Sequence, residues 1–141
     1  MKYICDGPGD RTWFQLETEA EAFTESELLG HAVEKHYRRE AESAARSHKP
    51  LSTAFIEQDI GLKDHIARTM PLFLTLRDMD GAGLATAMLP PGGKDDRGFR
   101  VIIVGPKNAD PYVDHNDAIA ALAKHFGLTL DRARCFPYQR G

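Results

Sequence analysis

Between Pro71 and Phe126 the hydrophobic positions come first in three short runs and then at helical spacing. Leu72 to Asp78 (LFLTLRD), Leu84 to Leu89 (LATAML) and Phe99 to Val104 (FRVIIV) are short and largely apolar, and each is bounded by Gly, Pro or Asp. They predict three strands of an antiparallel meander. Ile119, Leu122 and Phe126 then recur at helical spacing and stop at Gly127, which predicts a helix with Asp114 as N-cap, Asp117 at its third position and Gly127 as its C-terminal cap. Upstream, Lys2 to Cys5 and Thr12 to Glu17 predict two strands joined by the turn-forming residues 6–10. Thr24 to Glu27 has the pattern of a capping box and predicts a helix to about Ser47 with the stripe Leu28/Leu29, Ala32/Val33, Tyr37, Ala41 and Ala44/Ala45. Pro50 closes that region, Thr53 to Ile56 is a candidate extended piece, and Ile60 to Thr69 predicts a shorter helix with Leu62 and Ile66 inward. Leu128 to Leu130 is a candidate last strand.

The resulting order, β-β-α-α-β-β-β-α, predicts an α+β domain with an antiparallel sheet and helices packed on it, because consecutive strands with short connections pair as neighbours. One domain is expected over residues 1–131, followed by an irregular tail, 132–141. In element order only, the arrangement resembles PAS-type or longin-type sensor and adaptor folds. At 141 residues and 42% hydrophobic content the chain can bury an ordinary core without staples. Cys5 and Cys135 lack CxxC spacing, so free thiols in a reducing cytosol are expected. No stretch approaches the ~20 apolar residues of a membrane span and no signal peptide is evident, which predicts a cytoplasmic protein with no membrane partner.

Charge is unevenly distributed. Six glutamates and no Lys or Arg lie between Arg11 and Lys35, after which Lys35, Arg38, Arg39, Arg46 and Lys49 follow. Acid at the start and base at the end of a helix is what its dipole favours. The net charge of -3 argues against a nucleic-acid partner, which needs a concentrated basic surface.

The meander strands are apolar on both faces, so both need cover. One face collects Leu72, Leu74, Leu76, Phe99, Val101 and Ile103; the other collects Phe73, Thr75, Arg77, Arg100, Ile102 and Val104. Arginine holds carboxylates and phosphates through two parallel hydrogen bonds, so Arg77 and Arg100, with Thr75, are the ligand-binding candidates. The segment DPYVDHND supplies Asp110, Asp114 and His115 as candidates for a divalent metal. His115 and Asp114, with His65, are the candidates for acid/base catalysis. Their spacing fits neither an EF-hand nor an HExxH helix. His31 and His36, five apart on one expected helix, would diverge by about 140° and not share a ligand. Pro90 to Lys94 and Asp80 to Gly83 join strand to strand and break the P-loop and dinucleotide patterns, so no cofactor is expected.

Together these features predict a non-catalytic binding, adaptor or regulatory module, a homodimer engaging a protein partner or a small anionic ligand. Two alternatives stand beside it. One is a small metal-assisted or acid/base hydrolytic enzyme using His115 and its neighbouring aspartates; the other is a small inhibitor that blocks a larger enzyme.

Overall fold

The computed structural model describes residues 1–48 and 55–137. Its core is a five-stranded antiparallel sheet in the order β1-β2-β3-β4-β5, with β1 at Lys2–Gly7, β2 at Arg11–Gln15, β3 at Leu72–Arg77, β4 at Gly83–Leu89 and β5 at Ile102–Val104. Helices α1 (Glu19–Leu29), α2 (Val33–Ser47) and α3 (Phe55–Thr69) lie between β2 and β3, and α4 (Tyr112–Phe126) follows β5. The α+β class and the antiparallel sheet are as the hydrophobic pattern predicts.

Both sheet faces are covered. Trp13, Leu74, Leu76, Val101 and Ile103 pack against Tyr112, Ala118, Ile119 and Leu122 of α4, with Leu72 and Phe99 at the margin. On the opposite face Phe73 joins Leu16, Ala22, Val33, Tyr37, Ala44 and Met70 under α1 to α3. The strand register sets Tyr3, Phe14, Thr75, Thr86 and Val104 in one row across this second face. Alternating side chains thus send Thr75 and Thr86 towards the three helices and their neighbours Leu74, Leu76 and Ala85 towards α4.

The expected helix from Thr24 to Ser47 is two helices. α1 starts six residues earlier than expected, where Thr18 Oγ1 accepts from Glu21 N at 3.1 Å and Glu21 Oε1 accepts from Glu17 N at 2.8 Å. An earlier T-x-x-E has taken the capping role, while Thr24 donates to Ala20 O within the helix. Gly30, with φ 65°, ends α1 in the left-handed conformation that favours glycine. Two side chains, one from the last turn of α1 and one from the connection, then meet the first amides of α2: Ser26 Oγ accepts from Glu34 N at 2.9 Å, and His31 Nδ1 accepts from Val33 N at 3.4 Å. α1 lies so close to β4 that a Cβ at Gly83 would fall 2.2 Å from Leu29 Cδ1.

Other expectations are corrected by the hydrogen bonding. Asp114 is not the N-cap of α4, because Asp110 Oδ1 accepts from Tyr112 N at 2.9 Å and starts the helix earlier; Gly127 does cap its C-terminus, with φ 70°. Phe55 and Ile56 belong to α3, while Pro50, Thr53 and Ala54 fall outside the described residues. β5 is shorter than expected because Phe99 N turns back to Asp96 O and Val101 O accepts from Phe136 N at 2.8 Å. Leu128 to Leu130 form no strand, since Leu128 N is used in capping α4 at Ala123 O. Residues 132–137 are irregular but lie against the sheet: Ile103 N donates to Phe136 O at 3.2 Å, and Cys135 is fully buried. Cys5 and Cys135 are not joined in a disulfide. Among the described residues no helix is long and apolar enough to cross a membrane.

Candidate functional site

Glu25 is the one carboxylate buried among the described residues, 0% exposed, on the inward stripe of α1 between Ala22 and Leu29. A lone ionised carboxylate in that position would be severely destabilised. Its Oε1 accepts from Arg77 Nη2 at 2.6 Å, and its Oε2 accepts from Thr86 Oγ1 at 2.5 Å. Arg77 in turn donates from Nε to Thr75 Oγ1 at 2.9 Å and from Nη1 to Gly81 O at 3.3 Å. His31 Nε2 lies 2.8 Å from Thr86 Oγ1.

These bonds fix the direction of the chain. The single hydroxyl proton of Thr86 goes to Glu25, so Thr86 Oγ1 must accept from His31 Nε2–H, while His31 Nδ1 accepts from Val33 N. His31 is therefore neutral. Burial pushes its pKa below the ordinary histidine value; the Glu25 carboxylate opposes that shift and nearby His36 adds to it.

Beside this chain the helical layer stops short of β5 and leaves a cavity of about 150 Å³. Phe73, Met88, Ile102 and Val104 form its apolar floor and walls, Val33 and the His31–Thr86 pair close its inner side, and His36 and Asn108 stand at the mouth. The break at Gly30 overturns the separation of His31 and His36 expected from a continuous helix. His31 now lies in the turn and His36 in the first turn and a half of α2, so both border one cavity. The mouth is shaped by residues 105–109, where Lys107 and Asn108 have φ 54° and 61°, uncommon for residues with a side chain.

The other sequence candidates are dispersed. Arg77 and Thr75 stand behind the cavity, within the buried chain. Arg100 lies beyond the end of β5 that pairs with Met88, whereas Arg77 pairs with Gly83 at the far end of β4, so the register holds the two arginines at opposite ends of the sheet. The Arg100 guanidinium instead sits over the Phe136 ring at 4.8 Å.

Asp110 is ion-paired with Arg132, which outweighs the effect of burial and holds its carboxyl below the ordinary range. His115 Nδ1 accepts from Arg11 Nη1 at 2.9 Å, and burial together with the Arg11 charge pushes its pKa down. Arg11 also binds Asp117 at 2.7 Å and the Asp114 carbonyl at 3.3 Å, while the Asp114 side chain faces outward. This arrangement ties the β1–β2 turn to α4. His65 Nε2 lies 2.7 Å from Ser47 Oγ, with its ring 5.2 Å from that of His48. Among the described residues no three His, Cys, Asp or Glu side chains converge as metal ligands.

Sequence reasoning missed Glu25 by counting it with the acidic run. Its signal was the spacing: Ala22, Glu25 and Leu29 share one helical face. Compared with known proteins, the chain matches no protein family, and no similar curated protein or solved structure was found.

Proposed function

We propose that this protein is a non-catalytic binding module whose ligand is a small molecule held between the α1–α2 turn and β5. The observation that carries this reading is an apolar cavity of about 150 Å³ backed by a closed chain of buried polar groups. Concave, mostly apolar sites with a few polar groups are what small ligands occupy. The buried chain favours binding over catalysis, because the Thr86 hydroxyl proton and the His31 Nε2 proton already have acceptors within the protein. Its part is to hold α1, the turn and β4 in fixed relation, so that the walls stand preformed.

The test is amide-resolved NMR titration with toluene, benzoate, benzylammonium and isovalerate, repeated on Val104→Trp, which fills the cavity from its β5 side. Shifts confined to Val33, Thr86, Met88, Ile102 and Asn108 that vanish in the variant are expected. No shift at those amides with any of the four compounds overturns the proposal.

A further inference from the structure

We infer that the ligand is an uncharged, wholly apolar molecule about the size of a single six-membered ring. This rests on the cavity being a binding site and adds the chemical class of its occupant.

The walls set the class, because their polar groups are already engaged. Along the main chain, Thr86, Ala87 and Met88 of β4 pair with β5 on one side and with β3 on the other. At the start of α2, Ala32 O accepts from Lys35 N at 3.1 Å and from His36 N at 3.4 Å. Val33 N is taken up by His31 Nδ1, His31 Nε2–H by Thr86, and the Thr86 hydroxyl proton by Glu25. Asn108 has its partner within the protein. His36, at the mouth, is exposed to water and requires nothing of a ligand. A ligand's polar group would therefore enter a wall that has already met its own needs.

Charge is disfavoured more strongly still. No Asp, Glu, Lys or Arg is among the described residues lining the cavity, and behind its wall Glu25 and Arg77 balance each other at 2.6 Å. An ionised group placed inside would shed its water without meeting an opposite charge, a severe cost. A neutral hydroxyl would lose its bonds to water and find no free partner, a smaller cost of the same sign. Hydrocarbon gives up nothing of this kind. It exchanges water for the side chains of Phe73, Met88, Ile102 and Val104. Size limits it to one ring, since an apolar cavity of about 150 Å³ holds a molecule like benzene, and this cavity has about that volume.

The experiment takes toluene, benzoate and benzylammonium from the NMR titration, adds phenol, and reads their order at neutral pH. The four share one ring and differ in charge and in hydrogen-bonding capacity. Toluene should bind most tightly, with phenol weaker and each ionised compound weaker than toluene by about tenfold or more. Val104→Trp should abolish the toluene shifts at the cavity amides. If benzoate or benzylammonium binds within about tenfold of toluene, the cavity accommodates charge and the assignment is wrong, although the cavity remains a binding site. If phenol binds as tightly as toluene or more so, a wall group is free to bond it and the assignment is equally wrong. If none of the compounds shifts the cavity amides, the binding-module reading itself fails.

Discussion

Glu25→Gln preserves the size of the buried side chain and one of its acceptors, but leaves Arg77, whose side chain is 10% exposed, without its counter-charge. Breaking one partner of a buried ion pair costs about 3–5 kcal/mol. Replacing the Thr86 bond to a carboxylate by one to an amide costs about 1 kcal/mol more. Against this, the Thr75 hydroxyl and Gly81 carbonyl still engage the guanidinium, and its slight exposure admits water, so a loss near 3 kcal/mol is expected. An unfolding entropy of about 2.1 cal/mol/K per residue over 141 residues gives about 0.3 kcal/mol/K, so the melting temperature should fall by about 10 °C. Trp13, the only tryptophan and 0% exposed, reports the transition through its fluorescence in thermal and urea melts. Pairing the change with Arg77→Met should restore part of the loss, because the double variant leaves no unpaired buried charge. A melting temperature within about 3 °C of the parent for Glu25→Gln, or strictly additive losses in the double variant, would refute the argument.

Three other outcomes follow from the same geometry. Arg100→Ala removes only a surface stacking contact with Phe136, so its stability should change by less than about 1 kcal/mol in urea melts, in contrast to Arg77→Ala. Gly83→Ala must displace the buried Leu29 and should cost about 1–3 kcal/mol, measurable in the same melts. His31 and His115 both have lowered pKa values, through burial first, so below the unfolded value of about 6.5 the unfolded chain takes up protons that the folded chain refuses. Stability should therefore decline as pH falls through that value, and a pH series of melts on the His31→Gln, His115→Gln double variant should show a flatter dependence.

The strands facing α4 were legible because alternation and bounding turn residues agree there: β3 and β4 fall within a residue of their expected limits. The break between α1 and α2 was not. The apolar stripe runs on through Ala32 and Val33, so periodicity alone continues the helix, and only Gly30 marks the end. Two T-x-x-E patterns six residues apart offered equivalent caps, and the choice of Thr18 is made by where β2 ends. The two faces of β3 were sorted correctly, yet the partner of Arg77 lies 52 residues away on another element, a pairing that no local pattern encodes. His31 and His36 show the same limit in reverse, since their shared border on the cavity depends entirely on the missed turn.

The seat of Phe136 beside β5 has a practical side. Edge strands with open amides and carbonyls recruit other strands, and proteins guard against this by covering them. Here the cover is a short piece of backbone near the end of the chain, bonded to Val101 O and Ile103 N, with Cys135 anchoring it in the core. A shortened version ending at Asp131 would keep every helix and strand and still be expected to form aggregates, because it would uncover a sticky edge and leave a hole where the thiol was.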